Sequence, residues 1–88
     1  MKVKFINEVF NTSKEVEFNP KEIAKKYLEE NKNDHTSVIN DLSFGGYYEE
    51  DLTSYIEELL NETAENDYTY DFEDYMNLME AVKDCIIH

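Results

Sequence analysis

Lys14-Glu15-Val16-Glu17-Phe18-Asn19-Pro20-Lys21-Glu22 is the stretch in which the chain changes its hydrophobic period. Val16 and Phe18 stand two apart with charged residues between and before them, the alternation of a half-buried strand. Asn19 then offers a side-chain acceptor to the free NH groups of a helix start, Pro20 suits the first turn, and Glu22 sits three positions after the cap. A strand therefore gives way to a helix at Asn19. An α+β fold follows from that boundary.

Upstream, Lys2 to Phe10 places Val3 and Phe5 two apart with Lys2 and Lys4 interleaved, a second strand pattern. Asn11-Thr12-Ser13 reads as the polar turn that joins the two runs into a β-hairpin. Downstream, Ile23, Ala24, Tyr27 and Leu28 share one face of a helix that should end near residue 31, at the polar run Asn31 to Asp34. In residues 35–46, Val38, Ile39 and Leu42 fit a short helix capped by Thr36 or Ser37, and equally a buried loop or an edge strand. Gly45-Gly46 makes a corner after it.

From Tyr48 to about Glu65, Leu52, Tyr55, Ile56, Leu59, Leu60 and Thr63 repeat at helical spacing. Glu50, Glu57, Glu58, Glu62 and Glu65 occupy the other faces. After a break at Asn66-Asp67, a last helix is predicted from about Phe72 to Ile87. Its inner stripe is expected to be Phe72, Tyr75, Met76, Met79, Val82 and Ile86, and Thr69 or Asp71 to cap it. Two strands alone are marginal, so the hairpin is expected either to pack on the helices or to gain a further strand, from residues 38–44 or 67–71. The expectation is one domain over residues 1–88, an N-terminal β-hairpin followed by three to four helices packed on it.

The charge is uneven. The formal net charge is −13, from 21 acids against eight Lys and no Arg. Residues 1–33 hold seven Lys and six Glu, a net of +1, whereas residues 34–88 hold fifteen acids and Lys83 alone, a net of −14. Such a field repels nucleic acid and attracts cationic surfaces. Direct nucleic-acid binding would need Lys and Arg to neutralise phosphates, so it is not expected. Halophile acidity commonly suppresses Lys, which this chain keeps in its first half.

Catalytic and metal chemistry find little to work with. Cys85 is a lone cysteine, which excludes an internal disulfide and fits a reducing, cytoplasmic compartment. Cys85 and His88 have C-x-x-H spacing but lack two further ligands of that kind for a tetrahedral site. Asp67 to Asp74 is acid-rich but lacks the central Gly and the alternating ligands of an EF-hand. Paired carboxylates need a desolvating cleft to act as acid and base. Asp41-Leu42-Ser43 inverts the Asp-Ser-Leu order of an acyl carrier. No signal core and no run of about 18 apolar residues is present, so neither secretion nor membrane insertion is expected. The chain is read as non-enzymatic, with no cofactor and no metal.

Exposed helices ordinarily alternate Lys and Glu at i, i+4, whereas like charges at that spacing cost a few tenths of a kcal/mol per pair. Here Glu50 with Glu57 and Glu58, Glu58 with Glu62 and Glu65, and Glu73 with Glu80 and Asp84 make rows without counter-ions. Positions four apart on a helix are about 6 Å apart along its axis, close to the phosphate spacing of a nucleic-acid strand. The candidate partner-binding residues are Glu49, Glu50, Asp51, Glu57, Glu58, Glu62, Glu65, Asp67, Tyr68, Tyr70, Asp71, Glu73 and Asp74. Tyr47, Tyr48, Tyr68 and Tyr70 could receive Arg by stacking or pack at the edge of the core.

In size and charge the chain resembles the small acidic inhibitors of bacteriophages: anti-CRISPR, anti-restriction and other DNA-mimic proteins. That resemblance implies a basic nucleic-acid-binding protein of the host as partner and no particular fold. Locally, Tyr47-Tyr48-Glu49-Glu50-Asp51-Leu52 is similar to barstar-type nuclease inhibitors, whose acidic helix follows a Tyr-Tyr and an acidic-Leu pair. The rest departs from barstar, because strands and helices do not alternate as a parallel sheet requires. The alternative expectation is an acidic protein-protein adaptor that binds through its Tyr-rich edge or last helix without mimicry.

Overall fold

A computed structural model describes residues 1–65 and 67–88. The predicted break at Asn66 lies outside the described residues. The elements run β1 (Lys2–Asn7), β2 (Thr12–Glu17), α1 (Pro20–Glu30), a 3-10 turn (Lys32–Asp34), α2 (His35–Phe44), α3 (Tyr47–Ala64), β3 (Thr69–Tyr70) and α4 (Phe72–Ile87). The expected α+β fold, a hairpin followed by helices, is the observed one. No helix among the described residues is long and apolar enough to cross a membrane.

β1 and β2 pair antiparallel from Lys2↔Glu17 to Asn7↔Thr12. Val3, Phe5 and Asn7 face inward and Lys2 and Lys4 outward, as the period of two requires. The first strand stops three residues before the predicted Phe10, and the Asn7 side chain is the reason. Its Oδ1 accepts from the NH groups of Val9 (3.1 Å) and Phe10 (3.2 Å), bending the chain before it can extend further. Asn11 completes the turn with φ 53°, a left-handed conformation that Asn tolerates. Thr12 and Ser13, read as turn, therefore belong to β2 opposite Asn7 and Ile6.

Of the two segments considered for a third strand, residues 67–71 supply it. Thr69 and Tyr70 pair antiparallel with Ile6 and Phe5, giving the order β2-β1-β3. The Asp71 NH continues the ladder to the Lys4 carbonyl at 3.0 Å.

Asn19 caps α1 as expected, its Oδ1 accepting from Lys21 NH (3.0 Å) and Glu22 NH (3.4 Å). The open segment 35–46 resolves into a helix. It begins at His35, so Thr36 and Ser37 lie inside its first turn and do not cap it. α2 buries Val38 and Leu42. Gly45 (φ 93°) and Gly46 (φ 151°) turn the chain into α3. A Cβ on Gly46 would stand 2.6 Å from the Asp41 carboxylate, so glycine is required there by space as well as by backbone angle. The same carboxylate accepts the Tyr48 NH at 3.1 Å, so α3 is capped by a side chain from the end of α2.

The inward line of α3 is Leu52, Ile56, Leu60 and Ala64. Tyr55, Leu59 and Thr63 are half-buried on its flanks. α4 is capped by Asp71, whose Oδ1 accepts the Asp74 NH at 3.1 Å. Its buried stripe is Tyr75, Leu78, Met79, Val82 and Ile86, which corrects the sequence reading in two places. Phe72 and Met76 are 70% and 40% exposed, and Leu78, left out of the predicted stripe, is fully buried. With about 100° between successive residues, Met76 points well away from Tyr75, whereas Leu78, Met79, Val82 and Ile86 all return to within about 60° of it. Phe72 is close to that face in angle but is the first residue of the helix, and its ring lies tilted against that of Tyr75 with centroids 5.9 Å apart. One core joins these side chains to Val3, Phe5, Ala24 and Tyr27.

Candidate acidic interaction surface

The helices are laid out along a rod with extents of 45 × 20 × 20 Å. α3 supplies the longest single element on it, 18 residues. Because its core contacts fall on Leu52, Ile56, Leu60 and Ala64, the residues opposite them are thrown to the outside. These are Glu50, Glu57, Glu58, Glu62 and, at the helix end, Glu65, all exposed. From Glu50 to Glu62 the row is about 18 Å long at 1.5 Å per residue. Glu49 and Glu50 lie in the first turn, where the partial positive charge of the helix start favours them. Glu58, Glu62 and Glu65 are further along, beyond the reach of the helix start; the Lys14 ammonium meets that end of α3 at the Thr63 carbonyl, 3.5 Å away.

Two ion pairs occur among the described residues, both in the hairpin: the amino terminus of Met1 with Glu17, and Lys2 with Glu15 at 3.9 Å. The amino-terminal hydrogen bond holds the Glu17 carboxyl below its usual range. No acid of residues 34–88 has a cation within 4.0 Å among the described residues. The uncompensated rows read from the sequence are thus uncompensated in three dimensions.

The candidate residues divide into two groups in the structure. Glu49, Glu50, Glu57, Glu58, Glu62, Glu65, Asp67 and Glu73 are exposed. Of these, Glu57 also accepts the Tyr75 OH at 3.4 Å, and the remaining candidates have structural work. Asp51 is half-buried and accepts the Tyr27 OH at 2.8 Å. Asp71 is the α4 cap, and Asp74 accepts the Lys4 NH at 2.9 Å, fastening α4 to β1. Tyr68 is half-buried beneath Lys14, whose Nζ lies 4.4 Å from the ring centroid. Tyr70 is half-buried and packs on Tyr75 with centroids 5.7 Å apart. Tyr47 is 68% exposed, and its ring meets that of Tyr48 edge-on at 5.0 Å.

Tyrosine hydroxyls take the role that cations play in a balanced protein. Tyr27 donates to Asp51, Tyr48 to Asp34 at 2.7 Å, and Tyr75 to Glu57 at 3.4 Å. Burial, then the Asp51 hydrogen bond and charge, push the Tyr27 phenol strongly upward. The hydrogen bond to Asp34, then desolvation, push Tyr48 up to about 12. Tyr55 is raised by burial and the charge of Glu30, and Tyr75 by burial and the charge of Glu57. A phenol donates a hydrogen bond without cancelling the carboxylate charge, so Asp34, Asp51 and Glu57 are held in place while the field stays negative.

Two features escaped the sequence reading. Asp41 looks like one more surface acid, but its carboxylate fills the space left by Gly46 and caps α3. The Gly-Gly pair was the available signal, since a glycine with a positive φ and no room for a Cβ marks a close neighbour. Phe44 at the end of α2 is 89% exposed, and no periodicity argument reaches a residue at a helix terminus. Among the described residues, no three His, Cys, Asp or Glu side chains converge in a way that would hold a metal ion.

The sheet is antiparallel throughout, so the barstar-like stretch at Tyr47–Leu52 sits in a different architecture from the parallel one that the local similarity would carry. Comparison with protein families, with curated proteins and with solved structures finds no match to this chain in any of the three.

Proposed function

We propose that the chain is a non-enzymatic inhibitor that occupies the basic nucleic-acid-binding site of a host defence protein, a CRISPR effector or a restriction or other nuclease, by imitating the charge of a nucleic-acid strand. The observation that carries this reading is the exposed α3 row, Glu50, Glu57, Glu58, Glu62 and Glu65, with no cation in ion-pair range among the described residues. The rod is 20 Å across, and on it Glu58, Glu62 and Glu65 follow one another at about one-turn intervals, about 5–6 Å, against one phosphate per about 3.4 Å of axis on each strand of a duplex. Lys and Arg lining a nucleic-acid channel would meet those carboxylates in charge-assisted hydrogen bonds. Association would be fast and would weaken steeply with salt. Such a target places the inhibitor in the host cytosol.

A second reading draws on Phe72 and Met76, which α4 leaves exposed beside the Tyr70–Tyr75 cluster. They would suit an adaptor that docks another protein through apolar contact.

One experiment separates the two. Partners are captured from a bacterial lysate at low and high salt with the native chain, with the Glu57→Lys, Glu58→Lys, Glu62→Lys triple variant, and with Phe72→Ala. Mimicry predicts recovery of a nucleic-acid-processing protein that the triple variant loses. At about 1 kcal/mol for each reversed contact, affinity should fall about 100-fold. A partner that survives high salt and is lost with Phe72→Ala supports the adaptor and ends the mimicry reading.

A further inference from the structure

Three of the seven lysines of residues 1–33 gather in one place. α1 lies along α4, and between them runs a groove of about 510 Å³ whose floor includes Ala24, Leu28 and Cys85. A second hollow of about 490 Å³ shares Lys21 and Cys85 with it and reaches Asp84 and His88. Sites for small organic ligands run from about 300 to 1,000 Å³ and combine an apolar lining with a few polar groups, which describes this groove.

Its rim is cationic in a molecule that is otherwise strongly acidic. Lys21, Lys25 and Lys32 line it together with His35 and one acid, Glu29, and Asp84 stands in the adjoining hollow with Lys21. None of the three lysines is within ion-pair distance of a carboxylate among the described residues. Lys21 and Lys25 are one helical turn apart, about 6 Å, on either side of buried Ala24. The α3 carboxylates do not line the groove. Charges beyond about 8 Å are largely screened at physiological salt, so an incoming anion responds to the rim more than to the net charge.

We propose that this groove binds a small amphipathic anion, a carboxylate head on a medium-chain hydrocarbon body. The head lies between the Lys21 and Lys25 ammonium groups, and the hydrocarbon covers Ala24, Leu28 and Cys85. A purely polar anion would leave the apolar floor wet, and a cationic amphiphile would meet the lysines. This site is separate from the acidic row, and either assignment can fail without the other.

Decanoate, kept below its micelle concentration, is the probe. Titration followed by amide NMR should give saturable shifts centred on Lys21, Ala24, Lys25, Leu28 and Cys85. At saturation, alkylation of Cys85 by N-ethylmaleimide should slow about fivefold or more as the floor is covered. Lys21→Glu with Lys25→Glu should weaken binding at least about tenfold, and Lys25→Gln, which adds no repulsion, about threefold. Octanoate should bind about four- to ninefold more weakly than decanoate, since each methylene in a groove open on one side contributes about two- to threefold.

Non-saturable shifts, affinity unchanged in the lysine variants, or equal binding of decyltrimethylammonium at the same residues would each overturn the proposal. Shifts at the same residues on diluting the protein without any ligand would give the groove to a second copy of the chain, and would overturn it as well.

Discussion

Replacing Glu62 by Lys should stabilise the protein. Glu62 is exposed on α3, four residues after Glu58 and three before Glu65, and none of the three has a cation within 4.0 Å among the described residues. Each like-charge neighbour costs about 0.2–0.5 kcal/mol and each opposite pair returns a similar amount, so changing one sign at two contacts is worth about 0.8–2 kcal/mol. Glu62 also lies in the last turn of a helix that ends at Ala64 and has no basic residue there. A cation at that end adds at most about 0.3–1 kcal/mol through the helix dipole, since the Lys14 ammonium already sits 3.5 Å from the Thr63 carbonyl. The combined gain of about 1–3 kcal/mol corresponds to a rise in Tm of roughly 5–20 °C for a domain of this size. Thermal melts followed by circular dichroism at low salt measure it. In 1 M NaCl, where the screening length is about 3 Å, the native chain should become more stable and the advantage of the variant should shrink. A variant no more stable than the parent at low salt, together with a parent melt insensitive to salt, would refute the claim that these rows are uncompensated.

Tyr27→Phe should destabilise the fold by about 1–3 kcal/mol, because it leaves the half-buried Asp51 carboxylate without its 2.8 Å donor; urea unfolding measures this. Gly46→Ala should cost about 1–3 kcal/mol, since it places a Cβ 2.6 Å from Asp41 at φ 151°, and a lower thermal midpoint would show it. Alkali should unfold the protein early. Tyr48 keeps its proton up to about 12 when folded, against an ordinary 10.0, so between those values the unfolded chain binds fewer protons and stability falls as pH rises. Tyr27, Tyr55 and Tyr75 shift in the same direction. Urea midpoints should therefore decline across that window, with Tyr48→Phe giving a shallower decline; a flat profile would contradict the phenol-carboxylate pairing.

Much of the fold was legible because local chemistry and tertiary structure agree. Asn19-Pro20 marks a helix start in any context, and the α3 period is strong enough to name its buried face. The errors fall where a distant or terminal contact decides. Nothing local to Thr12 and Ser13 shows that Asn7 bends the chain early and leaves them paired. The segment 35–46 has too few apolar residues to separate helix from strand, and packing of Val38 and Leu42 into the core decides it. Of the candidate surface, the exposed glutamates were legible from period alone. Asp71 was legible as a cap, because its donor, the Asp74 NH, lies only three residues on, whereas Asp51 and Asp74 were not distinguishable from surface acids, because the donors that hold them, Tyr27 OH and Lys4 NH, are assembled only by the fold.

The pairing of β1 with β3 sets an order for assembly. Phe5 meets Tyr70 and Lys4 meets Asp74 across some seventy residues, whereas the β1–β2 hairpin closes locally. Loop closure over that span is slow relative to hairpin formation, so β1 waits with one edge open until the last quarter of the chain arrives. During synthesis the hairpin and the lysine-bearing α1 emerge first, and the acidic helices follow. The early chain is therefore close to neutral and carries an unpaired edge, the state most prone to wrong partners. The charge that arrives later keeps copies apart just as the sheet is being completed.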